Sequence, residues 1–470
     1  MTLKQLFSAR GINRNILRNA SIAACLGLSA QFSTAEDLYY IYQQAVENDH
    51  EFKASQAAYQ AGLEDSKLGR SALLPKINAS ANYTGSNRSV DGSESSTTQV
   101  LPSETDNTNS GYGISLVQPL FDMAAWQTYK AGKSTADVAE ANYLSAQQEL
   151  ILRTAQAYFD ILLAGDNYST AIAEEDALKH QLEQTRQRFE VGLSAITEVH
   201  EAKAAYDNSV AEKLIAEGQL GISFEALEVL TGQSYQQIAP LKDNFAVSNP
   251  QPAARQAWVD RAIEGNPQLA AAEALAEASR RQAKQAKAGH YPVLSLNGNY
   301  ASYNDDRETD FGYNSDLDSD DSSIGLTLTV PIYNGGAVSA SRRQAEQQSI
   351  QAREQWLKAK RDVVQAARSQ HLSVTTTVAT VHAREQGIIS TSSALEATQA
   401  GYSVGTRDLV DVLNAQQNLY QAKRNYYAAL YTYIMSSLRL KGVAGMLTEQ
   451  DLVQLNEWLN EAKPVLKTNS

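Results

Sequence analysis

The 470-residue sequence predicts a mainly α-helical fold with a smaller β part, built from two copies of one unit. Three observations support this fold class. Residues 122–190 and 335–402 contain no proline and are rich in alanine, which favours long helices. Short segments between the helical stretches alternate apolar and polar residues, which is typical of strands. The same order of segments occurs twice, which indicates an internal repeat.

Five pairs of short motifs align the two halves of the chain, at offsets of 217, 217, 212, 213 and 213 residues. A nearly constant offset over five motifs is difficult to obtain by chance. We therefore predict repeat 1 over residues 36–245, repeat 2 over 246–445 and a C-terminal tail over 446–470. The paired positions are Ala45 with Ala262, Pro75 with Pro292, Pro119 with Pro331, Gly192 with Gly405, and Gly232 with Gly445.

The N-terminus, residues 1–35, reads as a secretory signal peptide. A basic region without acids precedes a short apolar core at 20–30, and small residues stand before Glu36. A short anchor helix is the alternative, but the apolar run is too short to cross a bilayer. The single cysteine, Cys25, lies in this segment, so we expect a mature chain without disulfides.

The charge of the chain limits its partners and its route into a membrane. The formal charge is −13, and removal of the four basic residues of the signal makes it −17. An acidic exported chain is a poor binder of nucleic acid. Outside the signal no run of about 18 apolar residues occurs, so any membrane crossing must use strands.

Each repeat is predicted to contain one pair of strands. On the first strand Ile77, Ala79 and Ala81 alternate with Asn78 and Ser80. One apolar and one polar face suit a membrane β-barrel with a wet lumen, although an ordinary half-buried sheet has the same period. The predicted strands span about 76–86, 111–118, 293–303 and 323–330, joined within each pair by polar loops at 87–110 and 304–322.

Four strands cannot close a barrel, because a small closed barrel needs about eight and open edges are not tolerated in lipid. The chain must therefore oligomerise. The helices are also too long for a compact domain, since about 68 residues at ~1.5 Å each reach about 100 Å. We expect coiled-coil packing. The predicted helices span about 38–73, 122–190, 195–230, 255–289, 335–402 and 407–441, with tip turns at 191–194 and 403–406.

Four motifs carry a resemblance to a known family: RFEVGLSAITEV at 188–199, AGYSVGTRDLVDVLNAQ at 400–416, LVQPLFD at 116–122 and LTVPIYNGG at 328–336. Together they resemble the TolC family of outer-membrane efflux and type I secretion proteins, over nearly the whole mature chain. The resemblance implies a homotrimer in which a helical α-barrel tunnel continues into a 12-stranded outer-membrane β-barrel. The tail at 446–470 would lie at the equator of the tunnel.

The resemblance also implies a function. The chain would be a passive exit duct in the cell outer membrane with a long periplasmic extension. Its expected partners are a periplasmic adaptor (membrane fusion) protein, an inner-membrane transporter of the RND or ABC type, and outer-membrane lipid. It implies no enzymatic activity and no cofactor, and the six histidines have no metal-ligand spacing. The alternative from the residues alone is a periplasmic coiled-coil spacer without channel activity.

The resemblance places a gate at the tip turns. It implies that Tyr402 and Arg407 are movable clasps whose partners are Thr197 and Glu198, where the family usually has Asp in place of Glu198. Two pore-lining aspartates of the family fall on Asp411 and Asn414, so one of the two acidic rings is neutral here. The turn residues expected to receive the adaptor are Gly192, Leu193 and Gly405.

Overall fold

The structure is a computed structural model that describes residues 36–95, 98–100, 103–310, 312, 314–460 and 462–468. The predicted signal peptide lies outside the described residues. Helices dominate, and the two halves of the chain repeat one order of elements: two short helices, paired strands, a very long helix and a return helix.

The elements of the first half begin with two short helices and end in a two-residue strand. They are α1 (Leu38–Asn48), α2 (His50–Ser71), β1 (Lys76–Val90), β2 (Ser93–Ser95), β3 (Thr98–Val100), β4 (Ser103–Phe121), α3 (Met123–Glu190), α4 (Ile196–Thr231) and β5 (Gln237–Ile238).

The elements of the second half follow the same plan and continue into a short tail. They are α5 (Arg255–Gly265), α6 (Pro267–Ala288), β6 (Val293–Thr309), β7 (Ser315–Thr329), α7 (Ala337–Ser403), α8 (Leu409–Val443), α9 (Glu449–Asn456) and β8 (Val465–Leu466).

The predicted single helices at 38–73 and 255–289 are wrong in one respect, because each is broken into two. Asp49 adopts an extended conformation, and its side chain accepts a hydrogen bond from the Phe52 amide, which starts α2. Asn266 does the same for the Leu269 amide at 2.9 Å, and Pro267 follows as the first residue of α6. A side chain that caps a new helix ends the previous one, since the capping residue is not helical.

The four long strands form one antiparallel sheet in the order β1-β4-β6-β7. The predicted loops at 87–110 and 304–322 are therefore wrong, because most of their residues continue the strands. Polar side chains bridge the strands there: Asn304 Nδ2 donates to Asp316 at 2.7 Å and to Asp318 at 2.9 Å. Such polar cross-strand pairs can stabilise this part of the sheet, where apolar side chains are lacking.

The two faces of the sheet differ in polarity. Strand register places Ile77, Leu116, Gly298 and Ile324 in one row across all four strands, on the same face. Large apolar side chains on this face are exposed, including Ile77 and Ile324. The opposite face carries mainly Asn, Ser and Gly, so the predicted division into an apolar and a polar face is present in the folded sheet.

The helices lie side by side in a fixed order. The long helix α3 packs against α2, α4, α6 and α8, whereas α7 packs against α5, α6 and α8. The C-terminal end of α4 meets the break between α1 and α2, where Gly232 approaches Asn48. In the second half Asn266 Nδ2 donates to the Val443 carbonyl at 3.0 Å. Each long helix therefore faces two shorter helices set end to end.

The main apolar core lies near the middle of α3, where α1, α9 and the tail pack against it. Tyr158 and Phe159 are fully buried there, and the Tyr158 hydroxyl donates to the Ala239 carbonyl at 2.5 Å. Strand β8 pairs with β5, and Val465 lies against Gly165. In the described part of the chain, no helix is both long and apolar enough to cross a membrane.

Candidate functional site

The two tips at the end of the long helices share one backbone motif. Gly192 has φ +80° and Gly405 has φ +79°, a left-handed conformation that favours glycine. The Leu193 amide donates to the Arg188 carbonyl at 2.7 Å, and the Thr406 amide donates to the Gly401 carbonyl at 2.9 Å. These six-to-one hydrogen bonds are those of the Schellman motif, which ends a helix and reverses the chain.

The tips expose the residues predicted to receive an adaptor. Leu193 is 70% exposed, and a side chain added at Gly192 or Gly405 would meet no atom within 4 Å. An exposed leucine beside two open glycines leaves a surface on which another chain can approach the backbone closely.

A hydrogen bond between side chains joins the two tips within the chain. The Tyr402 hydroxyl donates to Oε2 of Glu198 at 3.2 Å, and the Ser194 hydroxyl donates to the same oxygen at 3.0 Å. Burial raises the pKa of Tyr402, the nearby Glu198 carboxylate raises it further, and Arg188 opposes both. Tyr402 therefore keeps its proton and remains a donor at neutral pH.

A small apolar cluster lies beneath this hydrogen bond. Leu182, Ala202 and Leu409 are buried and come from α3, α4 and α8. At the tips this cluster, the Tyr402–Glu198 hydrogen bond and the contact of Arg188 with the Tyr402 ring hold the second hairpin against the first. A contact area this small would allow the two hairpin tips to separate as well as to pack together.

Within the described part of one chain, Arg407 contacts neither of its predicted partners, Thr197 and Glu198, and pairs with another residue. Its Nη1 lies 3.3 Å from Asp411 Oδ2 in the first turn of α8, and the Asp408 side chain caps that helix by accepting from the Asp411 amide at 2.9 Å. The ion pair is exposed, and such pairs contribute about 0–1 kcal/mol. A contact from Arg407 to Thr197 or Glu198 of another copy stays a prediction. Thr197 is exposed.

Asn414 is exposed one turn beyond Asp411 on α8. Residues three apart lie on one helix face, so this face carries one carboxylate followed by a neutral amide. That carboxylate is partly neutralised by Arg407. Among the described residues, no group of three or more His, Cys, Asp and Glu is arranged to hold a metal ion.

Sequence reasoning missed two residues of this site, Arg188 and Ser194. The guanidinium of Arg188 lies over the Tyr402 ring, with Cζ 4.8 Å from the ring centroid. A basic residue in the last turn of a helix is ordinarily explained by the helix dipole, so the sequence gives no sign of an aromatic partner in the other hairpin. Ser194 lies four residues before Glu198, a spacing that suggests the contact only once α4 is known to begin at Ile196.

The chain matches the model of a protein family described as outer membrane efflux protein, over residues 41–233 and 258–446. This chain belongs to that family. The two matched segments fall one in each half of the chain.

Curated relatives of the chain are outer-membrane and secretion proteins. The outer membrane protein TolC of Vibrio cholerae serotype O1 is 38% identical over 442 residues, which cover 94% of this chain and 98% of that protein. The alkaline protease secretion protein AprF of Pseudomonas aeruginosa is 31% identical over 414 residues, 87% of this chain and 85% of that protein.

Solved structures share the fold. The outer membrane protein VceC of Vibrio cholerae has a TM-score of 0.71 at 19% identity, covering 87% of this chain and 96% of that one. The Campylobacter jejuni CmeC outer membrane channel has a TM-score of 0.70 at 18% identity, covering 91% of each chain. The predicted fold class, a helical tunnel with a β part, is thus confirmed.

Family membership also defines location and role. The protein is an outer-membrane protein with an extended periplasmic tunnel. It is an exit duct for efflux and type I secretion. Channels of this type are trimeric and work with an adaptor and an inner-membrane pump. The family consists of transport channels, which are not enzymes.

Proposed function

We propose that three copies of this outer-membrane efflux protein close into one duct, and that the Tyr402–Glu198 contact is part of a gate at its periplasmic tip. Two observations carry the proposal. The sheet and the helical layer each end in two edges that this one chain leaves uncovered. At the tips, the two hairpins meet through one small apolar cluster and the contacts of Tyr402.

The sheet edges are β1 and β7, since the order of the four-stranded sheet is β1-β4-β6-β7. Unpaired backbone groups are costly in lipid. Pairing β7 of one copy with β1 of the next satisfies them, and three copies then supply twelve strands. The apolar row that contains Ile77 and Ile324 would face lipid, while the Asn- and Ser-rich face would line a wet lumen.

The helical edges repeat this order, with α2 and α4 at one end and α7 at the other. On α4, Ile215, Ile222 and Val229 stand seven residues apart and are 65%, 62% and 88% exposed. A seven-residue apolar repeat is the pattern of a coiled-coil seam. The edge helix α7 exposes Leu372 and Ile389. The threefold rotation that pairs β7 of one copy with β1 of the next would thus also bring α7 of the first copy against α4 of the second.

The gate would open when the second hairpin leaves the first. Breaking the Tyr402–Glu198 hydrogen bond costs about 1.5–3 kcal/mol when the acceptor is charged, and less at an exposed site. The neighbouring pair Arg407–Asp411 lies within the second hairpin, so it does not hold the two hairpins of one chain together. In a trimer Arg407 would be placed to exchange Asp411 for Thr197 or Glu198 of a neighbour.

The tip residues Gly192, Leu193 and Gly405 would dock the periplasmic adaptor, which connects the duct to an RND or ABC transporter. The duct is passive, so the transporter would supply the energy. Adaptor docking at open glycines predicts that Gly405→Trp abolishes efflux while trimers still form. Gly312→Trp is the matched variant away from the tips, because Gly312 lies between β6 and β7, has φ +73° and also has no atom within 4 Å.

The test is single-channel conductance of the purified full-length protein in planar bilayers, together with its mass in detergent. We expect a trimer with a small closed-state conductance that rises when Tyr402 is replaced by Leu. A monomer without conductance, found in the soluble periplasmic fraction, would instead support the spacer alternative. A conducting trimer that does not respond to Tyr402→Leu would overturn the gate alone.

A further inference from the structure

Arg188 contacts the ring of the gate tyrosine, whereas Glu198 accepts a hydrogen bond from its hydroxyl. Its guanidinium carbon lies 4.8 Å from the centroid of the Tyr402 ring. Cations within about 6 Å of an aromatic centroid are attracted by the negative face of the ring. The contact joins α3 to α7, the two longest helices of the chain, at their common end.

Part of the guanidinium is removed from water at this point. Arg188 is half-buried, and its Nε is buried without a hydrogen-bond partner among the described residues. Desolvation strengthens a cation–π contact. The ring of Tyr402 thus helps to compensate for burying this part of the side chain.

The backbone at Arg188 is also held in place. Its carbonyl accepts the Leu193 amide in the Schellman motif of the first tip. Tyr402 occupies the second tip, where its carbonyl accepts the Gly405 amide at 3.2 Å. Both side chains therefore project from ordered turns of the backbone. A shift of either tip changes the distance between the two side chains.

We infer that Arg188 is a positioning residue of the gate, which holds the Tyr402 ring against α3 so that the tyrosine hydroxyl reaches Glu198. This inference rests on the gate proposed above. Opening then requires two contacts of one tyrosine to break together, the ring from Arg188 and the hydroxyl from Glu198. Closure in turn requires the ring to return to the guanidinium before its hydroxyl is aligned.

A purely local role for Arg188 makes a different prediction. A positive charge in the last turn of a helix stabilises the helix through its dipole, whatever residue stands at position 402. The two roles are separated by asking whether the effect of changing Arg188 depends on the ring of Tyr402. Tyr402→Phe keeps the ring and loses the hydroxyl, whereas Tyr402→Leu loses both.

The experiment measures the open fraction of the full-length trimer in planar bilayers. Arg188→Gln should raise the ratio of open to closed states by about 2- to 30-fold, the range expected for loss of a cation–π contact. The increase should be smaller in the Tyr402→Phe background, where the ring contact remains without the hydroxyl, and should vanish in the Tyr402→Leu background. Arg188→Lys keeps the charge without the planar group and should restore part of the closure.

Arg186→Gln is the matched control, because Arg186 is exposed on the same turn region of α3 and its loss changes the charge equally. It should leave the open fraction unchanged. The outcome is judged only if Tyr402→Leu opens the otherwise wild-type channel. In that case the inference is overturned if Arg188→Gln has no effect on the open fraction. It is also overturned if Arg188→Gln has the same effect with the aromatic ring at position 402 as without it. If Tyr402→Leu itself opens nothing, the proposed gate fails instead. Trimer mass in detergent shows that each variant folds.

Discussion

The hydroxyl of Tyr402 donates a hydrogen bond to Oε2 of Glu198 at 3.2 Å, and the two residues lie 204 positions apart. Glu198 stands in the first turn of α4, where the positive end of the helix dipole favours a carboxylate. The same oxygen accepts the Ser194 hydroxyl, so the carboxylate is oriented by its own tip before Tyr402 arrives. The acceptor is thereby built into the first hairpin, and the donor belongs to the part that would move.

Glu198→Ala is expected to open the channel more than Glu198→Gln. The alanine removes the acceptor, whereas the glutamine keeps an acceptor oxygen and loses only the charge. A hydrogen bond to a charged group contributes about 1.5–3 kcal/mol when shielded, so the alanine variant should raise the open-to-closed ratio by about tenfold or more. Bilayer conductance measures the ratio. Equal conductance of the two variants and the wild type would contradict a role for this carboxylate.

Asn414→Asp is expected to strengthen block by a trivalent cation. The trivalent cation should block the wild-type channel only weakly, because position 414 is neutral and Asp411 already contacts Arg407 at 3.3 Å. Three added carboxylates in a trimer should tighten block by about tenfold, since a charge pair at about 4 Å in high dielectric contributes about 1 kcal/mol or more.

The control for this charge change is Asn418→Asp, which adds the same charge one turn farther along α8 at an exposed position and should act less. Arg407→Gln should also strengthen block, because it frees Asp411 from its partner. Conductance is measured with and without the trivalent cation. Unchanged block in Asn414→Asp would show that position 414 does not face the pore.

Gly445→Ala is expected to destabilise the fold more than Gly232→Ala, although the two glycines occupy equivalent positions in the two halves. Both have φ +68°, so both substitutions bear a left-handed strain of about 1–2 kcal/mol. A Cβ at Gly445 would in addition collide with the Gly265 carbonyl, whereas at Gly232 the nearest atom is Asn48 Cβ at 3.8 Å. Thermal unfolding of the purified trimer measures the difference, and equal midpoints for the two variants would contradict it.

Asp166→Asn is expected to stabilise the protein at pH 8 and to have little effect at pH 4. Burial raises the pKa of Asp166 to about 6, the Tyr431 hydroxyl that donates to it at 2.6 Å opposes the rise, and Asp243 adds to it. A raised carboxyl pKa means that the folded state binds the proton more tightly. Its contribution to stability is present below about pH 4 and is lost as the pH rises through about 6.

The asparagine does not ionise, so the loss of stability at high pH disappears. Its amide oxygen can still accept the hydrogen bond from the Tyr431 hydroxyl. The unfolding midpoint at pH 8 should rise by about 2–4 °C relative to the wild type. Asp176→Asn removes one exposed carboxylate from the same helix and serves as the control. A pH-independent effect of Asp166→Asn would show that the carboxyl is not titrating in the folded state.

Local sequence rules were sufficient where one segment decides its own conformation. The long helices α3 and α7 follow from the absence of proline, and their ends follow from Gly192 and Gly405, which alone permit the left-handed turn. The alternation around Ile77 correctly placed strands, because period two is a property of the segment itself.

The same rules failed where a polar residue has a partner distant in sequence. Asn304 looked like a loop residue, but Asp316 and Asp318 on the next strand make it part of the sheet. Asp49 and Asn266 looked like ordinary helix residues until their side chains were seen to cap the next helix.

The sequence by itself therefore determined the duplication, the helical tips, the sheet and the family of this protein, since these depend on local periodicity and on motifs that stand in order along the chain. Only the tertiary structure decided that Tyr402 contacts both Arg188 and Glu198. The physical reason is that such contacts depend on the packing of one helical hairpin against another, which no spacing within either hairpin encodes.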